Sequence, residues 1–158
     1  METSVKSGKK TKTKFSRETY LKWYYDMYLM RRFEEKAGQL YGMQKIKGFC
    51  HLYIGQEAVV AGAISVIKKE DSMITAYRDH AHAIAKGISS REVMAELYGK
   101  ITGCSKGKGG SMHMFSKEHR FFGGHGIVGG QIPLGAGIAF AEQYNNTGNV
   151  CICYMGDG

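Results

Sequence analysis

The residues with chemistry to offer stand at the ends of two apolar runs. Val150-Cys151-Ile152-Cys153-Tyr154-Met155 has no polar break and follows the turn signal Asn145-Asn146-Thr147-Gly148. It reads as a strand buried on both faces, as in a parallel α/β sheet. Gly156-Asp157-Gly158 comes next, at the carboxyl end, where open α/β sheets place ligands. Glycines let a backbone approach a ligand closely, and the Asp157 carboxylate is a hard oxygen donor suited to a cation such as Mg²⁺. Met73-Ile74-Thr75-Ala76 reads as a second buried strand, with Tyr77-Arg78-Asp79-His80 at its end. Each piece has a plainer reading. The GDG is also a tight turn, Arg78 beside Asp79 also a surface ion pair, and His51 also a structural histidine.

Two glycine motifs fail as phosphate or dinucleotide sites. Gly103-Cys104-Ser105-Lys106-Gly107-Lys108-Gly109 has three residues between its first glycines where a P-loop has four, and it lacks the hydroxyl that would follow the lysine. Gly124-His125-Gly126-Ile127-Val128-Gly129 matches G-x-G-x-x-G, but no clear strand precedes it and no acid follows at the dinucleotide spacing. The remaining histidines, His80, His82, His113, His119 and His125, have no zinc-site spacing.

The elements around these residues are mostly helical. Ser16 is an N-cap, and Leu21, Tyr24, Tyr25, Tyr28, Leu29, Phe33, Ala37, Leu40 and Tyr41 recur at helical spacing behind it. That aromatic stripe is expected to be core or subunit interface. Phe49 to Tyr53 is a short extended piece, and Gly55-Gln56-Glu57 opens a helix that runs to about Ile67. A further helix covers Ala81 to Lys86. Ser89 and Glu92 form a capping box for the next one. From Ile101 to Gly130 regularity is lost, in an apolar-interleaved glycine-rich segment expected to be an ordered ligand-binding loop. Gln131 to Tyr144 is the last helix, with Pro133 tolerated in its first turn.

The 158 residues make about one domain, and no apolar run approaches a membrane span. The net charge of +8 suggests nucleic acid, but half of it lies in residues 1–14, with five lysines against Glu2. This stretch is expected to be a disordered, solvated tail, and residues 15–158 the folded part, with neither nucleic-acid nor membrane binding. The tail has no arginine before Arg17, so a bacterial cytoplasmic location is expected over the mitochondrial matrix. Cys50, Cys104, Cys151 and Cys153 form no C-x-x-C pair and read as buried reduced thiols.

Seven segments then fall in a telling order. They are Gly48-Phe49-Cys50-His51-Leu52, Gly55-Gln56-Glu57-Ala58, Thr75-Ala76-Tyr77-Arg78, Lys106 to Met114, Gly126-Ile127-Val128-Gly129, Gln131 to Gly137 and the closing GDG. Together, from about Phe15 to Gly158, they closely resemble the alpha-subunit family of the decarboxylating component of the pyruvate dehydrogenase complex. Alpha subunits for branched-chain 2-oxo acids and acetoin share much of the pattern, but Phe49-Cys50-His51-Leu52 is most similar to the pyruvate enzyme. The resemblance implies an α/β thiamine diphosphate-binding fold, a parallel sheet flanked by helices, within an α2β2 heterotetramer. It implies that thiamine diphosphate and Mg²⁺ lie between alpha and beta subunits. Asp157, beside Gly158, would be the first Mg²⁺ ligand, and Arg78 would hold the diphosphate next to Tyr77. Gly126 and Val128 would present backbone groups to the aminopyrimidine, with Ile127 among the apolar neighbours. His51 would face the reactive thiazolium.

The implied activity is thiamine-dependent decarboxylation of pyruvate, with the acetyl group passed to a lipoyl group on the acetyltransferase component. The family's closing Asn, its later loops and the beta subunit's activating glutamate are not in this sequence. The sequence therefore reads as an N-terminal portion ending after the GDG strand, either part of the enzyme or a non-catalytic fragment. Alone, it is expected to bind the cofactor weakly or not at all.

Overall fold

The computed structural model describes residues 14–156. The basic tail expected over 1–14 falls almost wholly outside the described residues, as do Asp157 and Gly158.

Helix α1, Arg17–Gly42, starts where the Ser16 hydroxyl accepts the Thr19 N–H. Its second half buries Met30, Phe33, Glu34 and Ala37. Its first half leaves Leu21, Tyr24, Tyr25 and Tyr28 more than half exposed, so the expected stripe is core only toward the C-terminal end. Helix α2, Glu57–Ile64, stops short of Ile67, and the Ser65 hydroxyl donates to the Gly62 carbonyl at its end. Helix α3 is His80–Ala85, and α4, Ser90–Leu97, carries the expected capping box in full. Helix α5 is Gln131–Tyr144.

Three parallel strands form one sheet in the order β2-β1-β3, with β1 Ser72–Ala76, β2 Phe121–His125 and β3 Cys151–Cys153. β1 lies in the middle and is buried from Ser72 to Thr75. β3 differs from expectation. It has β1 as its one neighbour among the described residues, so its side chains are half-buried and Val150 is half exposed. Asp71 pins its start, with one oxygen accepting the Val150 N–H at 2.9 Å and the other the Lys68 N–H at 2.7 Å.

β2 lies inside the stretch expected to be irregular. Phe121-Phe122-Gly123-Gly124-His125 has little strand propensity of its own, and pairing with β1 supplies the order. The register slips between Met73–Phe121 and Thr75–Gly124, so β2 bulges by one residue. Gly123 makes the bulge possible. Its φ is +87°, and a Cβ there would run into the Phe115 ring.

One part of the core joins α1, β1, β2 and α4 through Phe33, Met73, Val93, Leu97 and Phe121. A second part packs Met30 against Tyr53, Val60, Ala61 and Ala81. The four cysteines are free and half-buried, and burial pushes the Cys104 and Cys151 thiols up to about 11. They are therefore neutral and unreactive near pH 7.

Candidate functional site

The strand order reverses beside β1. The chain passes from β1 to β2 on one side, then crosses to β3 on the other. The carboxyl ends of β1 and β3 lie side by side there, and α/β sheets bind ligands in the crevice outside such strand ends. A cleft of about 690 Å³ occupies the position. Thr75, Ala76, Tyr77 and Arg78 line it from β1, Tyr154, Met155 and Gly156 from β3, and Val128, Gly129, Gln131 and Ile132 from the start of α5. A second groove of equal volume, between α1 and the ends of α2 and α3, lies away from the strand ends, and its Lys22 and Asp26 already pair with each other.

Arg78 is half-buried and, among the described residues, forms no ion pair. It does not pair with Asp79. Instead its Nη1 donates to the Leu52 carbonyl at 2.5 Å, which leaves most of the guanidinium's donors free. Asp79 turns inward, and its Oδ2 accepts the Met114 N–H at 2.9 Å. Burial pushes that carboxyl up to about 7, against the opposing influence of His80 and the Met114 amide.

Tyr77 meets the His51 ring edge to face, with centroids 4.7 Å apart, and Phe49 stacks with His51 at 6.4 Å. Partial burial, then the charges of Arg78 and His80, hold the His51 ring below the ordinary imidazole value. It is therefore mainly neutral at pH 7, the form able to accept a proton.

Gly126, Ile127 and Val128 stand exposed on the loop after β2. Val128 reaches the cleft wall, whereas Gly126 and Ile127 stand outside it. Asp157 follows directly on the cleft-lining Gly156, but its own position is outside the described residues. Among the described residues no group of three or more His, Cys, Asp or Glu is poised for a metal.

The structure adds residues that sequence reasoning missed. His82, Gln131 and Tyr154 line the cleft, and each keeps a buried polar atom without a partner among the described residues: His82 Nε2, Gln131 Oε1 and the Tyr154 hydroxyl. The His82 ring lies between Tyr53 and Tyr154, at 4.7 and 4.4 Å. Burial drives it down to about 3, so it is a neutral imidazole. Its Nδ1 pairs with the Arg78 carbonyl at 3.1 Å, one helical turn back. That i, i+4 spacing was the one sequence signal that pointed it at the site. Gln131 lines the cleft, its Nε2 donating to the Tyr154 carbonyl at 3.0 Å.

The glycine stretch that resembles a P-loop proves to be filled from within. Glu96 on α4 is fully buried, and its two oxygens accept four backbone amides. Ser105 and Gly107 reach one oxygen at 2.8 and 2.9 Å, Gly109 and Gly110 the other at 2.7 and 3.2 Å. The loop cradles a carboxylate of its own chain.

Fold and cleft define an α/β domain with a cleft at the carboxyl ends of a parallel sheet. The model for the dehydrogenase E1 component family matches residues 25–158, and the chain belongs to that family. It is 61% identical over 154 residues to the pyruvate dehydrogenase E1 component subunit alpha of Rickettsia bellii, covering 98% of this chain and 46% of the relative. The subunit alpha of Rhizobium meliloti is 60% identical over 161 residues, covering 99% and 46%. The mitochondrial subunit alpha of Dictyostelium discoideum is 52% identical over 157 residues, covering 99% and 41%. The chain thus spans just under half the length of these relatives. No helix among the described residues is long and apolar enough to cross a membrane.

Proposed function

We propose that the cleft holds thiamine diphosphate with Mg²⁺, and that the chain contributes this half-site to the alpha subunit of a pyruvate dehydrogenase. The observation that carries the reading is Arg78. It is a permanent cation, half-buried in a cleft at the strand ends, with no acid paired to it among the described residues. An anionic ligand is its natural partner, and a guanidinium fork suits phosphate oxygens. The cofactor also fits the wall around it. The unpaired polar atoms of His82, Gln131 and Tyr154 await polar groups, while Val128 and Ile132 offer apolar surface.

In this reading Arg78 binds the diphosphate, and Tyr77 and the backbone of Gly126, Ile127 and Val128 orient the rest. Asp157, with Gly158 beside it, takes Mg²⁺, as the chemistry of a hard carboxylate oxygen favours. His51, neutral near pH 7, accepts or donates a proton beside Tyr77. When bound, thiamine diphosphate supplies the carbanion-stabilising chemistry that these side chains lack. The beta subunit completes the cleft in an α2β2 assembly, and the acetyl group leaves on a lipoyl domain of the acetyltransferase component. The names of the sequence relatives support pyruvate over another 2-oxo acid or acetoin, and the bacterial sources of most of them agree with a bacterial setting.

The test is reconstitution with a beta subunit, followed by titration with thiamine diphosphate and Mg²⁺ and measurement of carbon dioxide release from pyruvate. Cofactor-dependent release supports the reading. Cofactor binding with release from a different 2-oxo acid would move the substrate, and absence of cofactor binding would sink the site.

A further inference from the structure

Residues 50–52 carry the proton-handling histidine, yet they belong to no helix or strand. Among the described residues, two side chains from elsewhere hold their backbone. Arg78 donates to the Leu52 carbonyl, and the Ser111 hydroxyl accepts the His51 N–H at 3.2 Å. Arg78 also faces the cleft, so its tether is shared with a ligand. Ser111, by contrast, does not line the cleft. It is buried off the cleft, at 3% exposure, in the turn after the Glu96 cradle.

Its hydroxyl is itself held. His80 Nε2 lies 2.8 Å from Ser111 Oγ, and His80 Nδ1 lies 2.9 Å from Glu34 Oε2 on α1. His80 and Glu34 are fully buried. Burial opposes charge on His80, but the bond to Glu34 and its charge raise the imidazole above its ordinary value. Either protonation state leaves the tether intact. A neutral His80 with its proton on Nδ1 receives the Ser111 hydroxyl proton. A cationic His80 donates to Oγ from Nε2. In both, Ser111 keeps a lone pair for the His51 amide.

We infer that Ser111 is a positioning residue for His51, its hydroxyl fixed by His80 and Glu34, so that the long helix α1 sets the placement of the proton-handling ring at the cleft. This rests on the role proposed for His51. An irregular segment keeps a productive geometry only where such supporting contacts lock it.

The experiment is a cycle of Ser111→Ala and His51→Ala in the reconstituted enzyme, with hydrogen exchange of the His51 amide read by NMR on the chain. Ser111→Ala should lower kcat roughly three- to tenfold, the effect of one lost neutral hydrogen bond, with cofactor affinity held within about twofold. In the His51→Ala background the same change should cost less than about twofold, because the two residues act as a unit. Ser111→Thr, which keeps the hydroxyl, should recover turnover. Exchange of the His51 amide should quicken about tenfold in Ser111→Ala. Fully additive losses, or an effect confined to melting temperature and cofactor affinity, overturn the positioning role. Unchanged amide exchange overturns the tether whatever the kinetics. Normal turnover in His51→Ala alone refutes the proposed role of His51, and with it any catalytic purpose for the tether, while the exchange result still reports whether the tether exists.

Discussion

Two glycine-rich stretches of this chain meet opposite ends. In residues 103–110 the backbone amides converge on the buried carboxylate of Glu96, and the loop is closed. In residues 126–130 the loop after β2 opens toward solvent and the cleft, leaving Ile127 80% and Val128 66% exposed. Both are built from the same residue type, and both carry a phosphate-like signature. The difference lies in what fills the concavity. A nest of amides attracts an anion, and here one of them already has its anion within the same polypeptide. Glycine density therefore says that a backbone must bend or come close. It does not say to what.

The contrast breaks most sharply at Glu96. Glu96→Gln keeps the shape but turns an amide group toward two backbone donors. With each unsatisfied N–H costing about 1–3 kcal/mol, unfolding stability should fall by about 2–6 kcal/mol. Urea denaturation of the chain measures it, and a loss below about 1 kcal/mol would mean that the closed loop does not depend on its internal anion. Next comes the open side. Arg78→Ala should cost about 2–5 kcal/mol of cofactor binding in the reconstituted enzyme, as for a buried charge deprived of its partner. The fold loses only the bond to the Leu52 carbonyl, about 1 kcal/mol, and calorimetric titration beside a melting curve separates the two effects. Unchanged affinity would remove Arg78 from the site.

The cleft wall should also carry an acid response. His82 is neutral in the fold down to about pH 3, whereas the unfolded chain protonates it near 6.5. Between these values the unfolded state binds the extra proton, so stability falls as pH falls, by at most about 1.4 kcal/mol per pH unit. Asp79 works the other way. Its raised value lets the folded state hold a proton below about 7, so its contribution grows as pH falls and is lost as pH rises through 7. Comparing the chain with His82→Gln at each pH cancels Asp79. Parallel stability curves for the two proteins would show that His82 titrates normally. The smallest effect belongs to the exposed rim. Val128→Ala should change stability by no more than about 0.5 kcal/mol, as surface substitutions do, while weakening cofactor binding in the enzyme. A large loss of stability would show that the open loop is packed after all.

Helix signals act over a few residues, and they were legible. The Ser16 cap, the Ser89–Glu92 box and the start of α5 at Gln131 all stand where their side chains predicted. The apolar runs at 73–76 and 150–155 marked two strands and put polar residues at their carboxyl ends. The order of seven short motifs pointed to the family. β2 was not legible, because Phe-Phe-Gly-Gly-His orders itself only against β1. Nor was the full burial expected of β3, since an edge position is a property of the sheet and not of the strand.

Sequence alone thus determined which segments would be helices and where polar groups would follow strands, because spacing and capping are local, while Arg78, Tyr77 and His51 were singled out by the resemblance of their motifs to the family. Tertiary structure decided the pairings. Nothing between residues 34 and 111 announces that Glu34, His80 and Ser111 meet, or that Ser111 then takes the amide of His51. Nothing in the glycines of 103–110 reveals that Glu96 fills them. Those contacts span many residues of chain, and they form only because the packing of helices on a parallel sheet buries the groups and leaves each polar atom to find its partner in space.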